Sequence, residues 1–411
     1  MAYSNSSFNR TKPMRSRTLG NRISIYVVGA QIILLFALST LPTPLYESYA
    51  QKFQFSNLLL TVMFVAYTIG TITTLLFLGR LSDQIGRRRI SLTALGLGGV
   101  AIVLFILALN YPMLFAARVI TGLATGLSSG TAIAWMRDLH GPGGQRTASQ
   151  KTVTLNILGL GLGPLLSGLL AAFAPWPMVL TFIIFGLLLA LLAIGIFFAE
   201  ETAQDRRDLK KVPLRPRIGV PRELRSQFAA PALTVFVSFS LVGFYSVIAP
   251  SLLAKTLQLH SPAVIGSVVF ELFLAGTIMA YVAFKFTSRA SMLAGTAMML
   301  PALAGLVISQ EAKSLASLLV GTALGGVSIG LAYKGTLEIA NQIAPEDKRA
   351  EMISSLFVVG NLSLAIPVIG VGVLAALTSS HTANLTFAVV VGLLSIVGWL
   401  LGKRLRIQAQ Q

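Results

Sequence analysis

The sequence contains no cysteine and few charged residues. The absence of cysteine from its 411 residues excludes disulfides, thiolate catalysis and cysteine-ligated zinc. Charged residues make up only 11% of the chain, against about 25% in a soluble domain, whereas hydrophobic residues make up 55%. Because so few charges cannot coat a water-facing surface, we expect an integral membrane protein.

The apolar residues occur in runs separated by short polar breaks. The runs are about 20 residues long, which is the length that an α-helix needs to cross a bilayer. They do not alternate apolar and polar residues as the strands of a transmembrane β-barrel do. The sequence therefore predicts an all-α membrane protein. Its twelve predicted spans lie at 24–45, 57–79, 90–109, 112–136, 152–174, 177–199, 229–250, 263–284, 290–309, 314–335, 350–376 and 383–402.

The basic residues predict the orientation. Of the 32 lysines and arginines, 28 lie in the termini and one alternate set of breaks, three lie in the opposite set, and Arg118 lies inside a span. Since basic loops remain in the cytoplasm, both termini are predicted to be cytoplasmic. The same bias explains most of the net charge of +18 by topology and attraction to anionic membrane lipid, rather than by nucleic-acid binding. No cleavage-site pattern ends the first span, so we expect a retained helix rather than a signal peptide.

The longest polar break, 200–228, divides the chain into two similar parts. It predicts a cytoplasmic linker between two six-helix bundles at 24–199 and 229–402. The remaining segments, 1–23 and 403–411, are predicted to be cytoplasmic tails.

An internal repeat supports this division. Three features of the first half recur in the second half at an offset of 203 residues, in the same order and with matching topology. Two parallel six-span repeats are typical of transporters whose substrate site lies between the halves, near the bilayer midplane. The matched pairs are Pro142 with Pro345, Pro164 with Pro367, and Gly122 with Gly325.

The loop between spans two and three has the pattern G-x-L-x-D-x-x-G-R-R, beginning at Gly79 and including Asp83, Gly86 and Arg87. Its glycines allow a short turn with close helix packing, and its aspartate can accept hydrogen bonds from a helix N-terminus or from the arginine. The pattern resembles motif A of the major facilitator superfamily. The resemblance implies a latch of the outward-facing state in which Asp83 pairs with Arg87, Asp138 and the start of span eleven.

Span four contains Arg118, followed by Gly122 and Gly126 at the spacing of closely crossing helices. An arginine inside a span is costly and usually functional, although it can also serve only to hydrogen-bond carbonyls of neighbouring helices. The segment resembles motif B of the superfamily, whose arginine is implicated in proton transfer.

Span five contains Gly159, Gly163, Pro164, Ser167 and Gly168. By itself this pattern predicts a kinked helix with close neighbours, because proline removes a backbone donor and glycine permits close approach. The pattern resembles motif C, the antiporter signature of drug:proton exporters in this superfamily. The last pair is usually Gly-Gly in that family, whereas here it is Ser167-Gly168.

Only one of the 14 acidic residues, Glu271, lies well inside a span. Many drug:proton exporters of the superfamily carry a membrane-embedded carboxylate in span one, but here that span has only Glu47, at its outer end. We therefore predict that Glu271 couples proton movement to transport, with Arg118 tuning it and Glu47 as a weaker candidate. The alternative is a glutamate that is hydrogen-bonded to a neighbouring helix and never titrates.

Polar and aromatic residues within the spans are candidates for the substrate cavity, since polar groups in a membrane helix prefer the protein interior. Aromatic rings would suit an apolar or cationic ligand, and one acid among them suggests a lipophilic cation. Core packing and interface anchoring remain alternatives for each of these residues. The candidates are Gln31, Tyr46, Tyr67, Asn156, Phe244, Tyr245, Phe270 and Asn361.

Several classes of site are absent from the sequence. It has no G-x-x-x-x-G-K-[ST] pattern, its three histidines lie in separate loops, and no Ser/His/Asp arrangement occurs in a plausible site. We therefore expect neither an enzyme nor a cofactor or metal site.

The leading hypothesis is a proton-coupled exporter of small, mainly lipophilic molecules. The alternatives are a symporter, a facilitator, a narrow-specificity metabolite exporter and a non-transporting sensor. The superfamily resemblance implies a monomer, and the short loops favour the inner (plasma) membrane of a bacterium.

Overall fold

The computed structural model describes residues 19–78, 81–203 and 218–405. The described residues form fourteen α-helices joined by short turns and contain no strand. The helices are α1 Asn21–Thr40, α2 Tyr46–Phe53, α3 Asn57–Phe77, α4 Leu81–Ile85, α5 Arg87–Ile106, α6 Tyr111–His140, α7 Gln145–Phe173, α8 Pro177–Phe198, α9 Arg225–Lys255, α10 Pro262–Ala283, α11 Ser288–Glu311, α12 Leu315–Ile343, α13 Arg349–Leu377 and α14 Ser380–Arg404.

The all-α fold predicted from the sequence is confirmed. Among the described residues, twelve helical segments are long and apolar enough to cross a membrane; α2 extends the first of them and α4 lies in a loop. Side-chain caps begin several of these helices, because Ser56, Asn110, Thr287 and Ser314 each accept a hydrogen bond from the backbone N–H three residues ahead. The caps satisfy donors that a helix start leaves free.

The structure shifts some predicted boundaries. The first span was predicted at 24–45, but α1 ends at Thr40 because Pro42 and Pro44 interrupt the helix before α2. Helix α9 begins at Arg225, within the segment 200–228 that the sequence predicts as a linker. Residues 204–217 of that linker lie outside the described residues.

Lys334 lies near the end of the predicted span 314–335 and well inside α12, where it is buried. Its ammonium donates to the carbonyl of Phe286 at 2.8 Å and pairs with Glu338 at 2.8 Å. Because these partners neutralise it within the protein, the helix continues two turns beyond the apolar run that the hydropathy pattern marks.

The helices pack in two groups of six spans. α6 packs against α3 and α5, and the repeat-related α12 packs against α10 and α11; α1 packs against α7 as α13 packs against α9. Pro164 in α7 and Pro367 in α13 occupy corresponding helices of the two groups. The groups meet mainly where α7 packs against α10 and where α3 packs against α13. Each group has six spans, an even number, so it begins and ends on the same side of the bilayer. The two ends of the described chain therefore lie on one face, here called the termini face.

Candidate functional site

A narrow cavity, here called the central cavity, lies between the two groups of helices. Its volume of about 80 Å³ has room for a few water molecules. No charged side chain is among the described residues that line it. Residues of α1, α3, α6 and α7 line one side and residues of α9, α12 and α13 line the other. The lining residues are Phe36, Ser39, Thr40, Phe64, Tyr67, Thr71, Leu75, Thr125, Ser129, Asn156, Leu160, Phe239, Val242, Ser246, Tyr333, Phe357, Asn361 and Leu364.

Arg118 lies directly behind the wall of the central cavity. Its side chain is fully buried, and its Nη1 donates to the carbonyl of Ser39 at 2.6 Å. The guanidinium carbon is 5.4 Å from the ring centre of Phe64 and 5.3 Å from that of Tyr67. Nε and Nη2 have no hydrogen-bond partner, and none of the ion pairs among the described residues involves Arg118. It is therefore a buried cation that contacts one carbonyl and two aromatic faces and has no acidic partner among the described residues.

Three of the eight predicted cavity residues line the central cavity: Tyr67, Asn156 and Asn361. Tyr67 contacts Arg118, and the Asn361 amide donates to the carbonyl of Phe357 at 2.9 Å.

The structure places the other predicted cavity residues elsewhere. Gln31 donates to Ser128 at 3.1 Å across α1 and α6, and Tyr46 lines a second pocket at the face opposite the termini. Phe244 stacks on a ring of α14 with centres 4.6 Å apart, and the Tyr245 hydroxyl is 2.8 Å from that of Thr322 in α12. Phe270 lies beside Gly161 in the interface of α7 with α10. Packing within or between the helical groups therefore occupies most of these side chains.

Glu271 lies on α10, outside the lining of the central cavity. The residue is half-buried, and its Oε2 is buried with no hydrogen-bond partner. It is close enough to Tyr245 to act on its hydroxyl electrostatically. Glu47 lines the second pocket, as does Lys255, and accepts a hydrogen bond from Gln51 at 3.5 Å. The two candidate carboxylates thus lie in different places.

The glycines of span five bring α7 close to helices on two sides. Gly159 and Gly163 face α1, where a side chain at Gly163 would collide with the carbonyl oxygen of Ala37. Gly168 faces α10, where a Cβ would come within 2.5 Å of the carbonyl oxygen of Pro262. Ser167 is fully buried and donates weakly to the carbonyl of Pro164 at 3.4 Å. α7 therefore touches its own group through one row of small residues and the other group through a second row.

The loop after α3 forms a charged cluster at the termini face. Arg87 is buried and forms ion pairs with both Asp83 and Asp138, the second with Nε 3.1 Å from Oδ2. Its Nη1 also donates to Ser82 at 2.8 Å. Gly86 precedes α5 with φ of 119°, which a residue with a side chain rarely adopts. Gly79 lies outside the described residues.

Among the described residues, Asp83 forms no ion pair with span eleven. Asp83 is half exposed, and its only ion-pair partner among the described residues is Arg87. α4 packs against α5 and α6. Helices α3 and α13 do meet at the opposite face, where Gly372 lies against Thr61.

Two further residues of the cluster follow α8 and were not expected from the sequence. The Glu201 carboxylate accepts the backbone N–H groups of Arg87 at 2.9 Å and Arg88 at 3.2 Å, and so caps the start of α5. The Thr202 hydroxyl donates to Asp138 at 3.0 Å. The signal available in the sequence was an acidic pair directly after an apolar run, but its partners lie more than 60 residues away along the chain.

The comparisons with known proteins agree with this architecture. The sequence profile of the Major Facilitator Superfamily matches residues 27–366. The chain belongs to the Major Facilitator Superfamily. Among solved structures, the crystal structure of the human organic anion transporter MFSD10 (TETRAN) is similar, with a TM-score of 0.66 and 17% sequence identity over 93% of this chain and 100% of that one. No curated protein matches the sequence. The chain is thus a multi-pass membrane transporter of this superfamily and not an enzyme.

Within this superfamily fold, Thr40 compensates for Pro164. A helical carbonyl normally accepts from the N–H four residues later, but Pro164 offers no N–H to Leu160. The Thr40 hydroxyl donates to that carbonyl at 2.8 Å, from α1 to α7. The kinked helix is therefore tied to α1 at the edge of the central cavity.

We expect Thr40→Val to lower the free energy of unfolding by about 1 kcal/mol, because the Leu160 carbonyl loses its partner. The measurement is unfolding in detergent, with Thr73→Val as the control, since the exposed Thr73 donates to Ile69 within its own helix. In a Pro164→Ala background the effect should shrink, because an alanine N–H can bond Leu160. An equal effect in both backgrounds would contradict this account.

Proposed function

We propose that this transporter exports small, mainly lipophilic molecules by proton antiport with alternating access. The observation that supports the proposal best is the central cavity, which lies between the two helical groups and is lined by aromatic rings, hydroxyls and amides without a charge. Such a lining favours a solute with a large apolar surface and few polar groups.

The packing of α7 supports alternating access. This helix contacts α1 in its own group and α10 in the other group through small residues. Contacts of small residues keep backbones close and leave few interlocking side chains to separate. Rocking of the groups about α7 and α10 would expose the central cavity to each face in turn. The resemblance of α7 to the antiporter motif favours export over import.

Proton coupling is assigned to Glu271. Among the described helices it is the only acid more than two turns from a helix end, and its Oε2 has no partner that would hold it in one protonation state. Carboxyl groups in such positions often belong to proton pathways. Arg118 is expected to tune the same equilibrium, and Glu47 is the second candidate for the proton site.

The bias of the basic residues supports a cytoplasmic termini face, and we place the protein as a monomer in the inner membrane of a bacterium. A symporter or facilitator, and a narrow-specificity exporter, remain the competing transport modes. The similarity to the human organic anion transporter shows the fold alone at 17% identity, so it carries no substrate to this chain.

Accessibility of the central cavity tests alternating access. Because the chain has no cysteine, Ser246→Cys introduces a single thiol in the lining of the cavity. We expect an impermeant maleimide to label it from either face of a proteoliposome, in proportions that change with an imposed pH gradient. Ser395→Cys, which is buried between α14 and α11, is the control and should stay unlabelled.

Labelling of Ser246→Cys from one face only, under all gradients, would favour a non-transporting sensor. Substrate uptake into inside-out vesicles under a pH gradient then distinguishes the transport modes. Substrate accumulation that is driven by proton efflux from the vesicles supports antiport. Substrate accumulation that is driven by proton influx would support a symporter.

A further inference from the structure

Arg118 and two tyrosines are buried and have hydrogen-bond donors without an acceptor. Nε and Nη2 of Arg118 and the hydroxyls of Tyr46 and Tyr49 are all buried without a hydrogen-bond partner. All three residues are at most 2% exposed. Buried polar groups nearly always have partners, so unpartnered groups on interacting residues indicate that a ligand belongs there.

The Arg118 guanidinium acts on the Tyr46 hydroxyl through its charge and its N–H groups, and Tyr46 acts electrostatically on Tyr49 one turn along α2. Tyr46 lies between the other two residues of the cluster in this chain of interactions. Arg118 cannot lose its charge in a protein. Among the described residues it has no acidic partner, although a buried cation without one is strongly disfavoured. The cluster therefore has an excess positive charge and an excess of donors.

The N–H groups of Arg118 that lack an acceptor lie on one edge of the guanidinium. Nη1 is occupied by the Ser39 carbonyl, and the faces are flanked by the rings of Phe64 and Tyr67. The Nε–H and one Nη2–H point in parallel, and this edge matches the two oxygens of a carboxylate. A tyrosine hydroxyl beside it can donate a third hydrogen bond to the same group.

The cluster adjoins the central cavity, because Ser39, Phe64 and Tyr67 contact Arg118 and also line that cavity. A molecule with a carboxylate and an aromatic body could place its charge at Arg118 and its ring in the aromatic lining. A lipophilic cation would instead meet an uncompensated positive charge, and Glu271 lies outside the lining.

We propose that Arg118, together with Tyr46, binds the carboxylate of an aromatic organic anion and that such anions are the substrate class of this transporter. The claim that these anions are substrates rests on the proposed function, whereas the claim that they bind here does not. It replaces the lipophilic cation that the sequence suggested.

The test is equilibrium binding to the purified full-length chain in nanodiscs, by calorimetry and with no gradient. The probes share one ring system and differ in charge: 2-naphthoate, 2-naphthamide and a naphthylmethyl-trimethylammonium salt. We expect the acid to bind at least tenfold more tightly than the amide and the cation to bind more weakly still. Equal binding of acid and amide would overturn the proposal.

Substitutions locate the preference. Arg118→Gln should remove the preference of the protein for the acid over the amide, and Arg118→Lys should restore only part of it, because an ammonium lacks the parallel edge. Tyr46→Phe, which keeps the ring and the arginine, should weaken acid binding about threefold and amide binding less. If Arg118→Gln does not fold, Tyr46→Phe still tests the site. Undiminished acid binding in Tyr46→Phe and in whichever arginine variants fold would refute the site.

Two further outcomes are informative. Chloride that saturates the protein in an Arg118-dependent manner, with no binding of the naphthoate, would reduce the cluster to an inorganic anion site and overturn the proposal. Transport of the amide or the cation without acid binding would also overturn it while keeping the proposed function. Acid binding without transport of any probe would support the binding site but overturn both the substrate class and the proposed export.

Discussion

Glu271→Gln is expected to abolish substrate-induced proton release while leaving the protein folded. Glutamine keeps the shape and polarity of the side chain but cannot release a proton. Because Glu271 is the only acid of the described helices more than two turns from an end, no other embedded carboxylate is in position to replace it. The measurement is the pH signal of a dye inside inside-out vesicles when substrate is added, together with uptake under an imposed pH gradient.

Two variants make this result specific. Glu311→Gln removes an acid at the end of α11, where Glu311 is exposed and lies 2.7 Å from His381, and it should leave proton release unchanged. Glu47→Gln tests the second candidate in its own pocket. Release that persists in Glu271→Gln and vanishes in Glu47→Gln would move the proton site to the face opposite the termini. Release that persists in both would remove the proton role from each residue.

The fold could be predicted from the sequence because its cause is local. A run of about 20 apolar residues forms a helix in a bilayer whatever its neighbours, since every backbone group must be satisfied within the segment. The errors occur at the ends. One predicted span ends at residue 335, yet α12 continues past Lys334, which is held by a carbonyl at 2.8 Å and by Glu338. A single sequence does not show such partners.

The candidate site was harder to predict, because lipid and protein interior are equally apolar. Phe244 and Tyr67 look alike in the sequence, but one stacks on Phe387 within its own group and the other lines the central cavity. Hydropathy does not reveal which side of a helix faces lipid, a neighbour or the cavity. Arg118 could be identified from the sequence because a charge within a span is rare. That two of its nitrogens lack a hydrogen-bond partner is visible only in the structure.

The cluster at the termini face was predicted in part from the sequence and completed by the structure. The loop pattern led to Asp83, Arg87 and Asp138, and the structure brings these three together. Glu201 and Thr202 complete the cluster from the segment after α8. That segment leads into the linker between the two halves, so the linker is anchored to the start of α5.

Arg87→Met is expected to reduce the transport rate about thirtyfold while substrate binding is retained. Arg87 is buried and holds Asp83, Asp138 and Ser82 at once, so its removal leaves two carboxylates facing each other without a cation. Breaking a fully buried pair costs about 3–5 kcal/mol. Since both carboxylates are partly exposed, we take about 2 kcal/mol, which corresponds to a factor of about thirty in an equilibrium between conformations.

The expected result depends on the cluster rather than on total charge, and Arg89 supplies the matched control. Arg89 lies two residues away, is exposed and makes no side-chain hydrogen bond or ion pair among the described residues. Arg89→Met removes the same charge with the same replacement and should transport like the wild type. Because the cluster lies at the termini face, away from the central cavity, binding of substrate at equilibrium should be unchanged in both variants. Equal rates for Arg87→Met and Arg89→Met would show that the cluster does not control the conformational equilibrium, and a loss of binding in Arg87→Met would show that it supports the fold of the cavity instead.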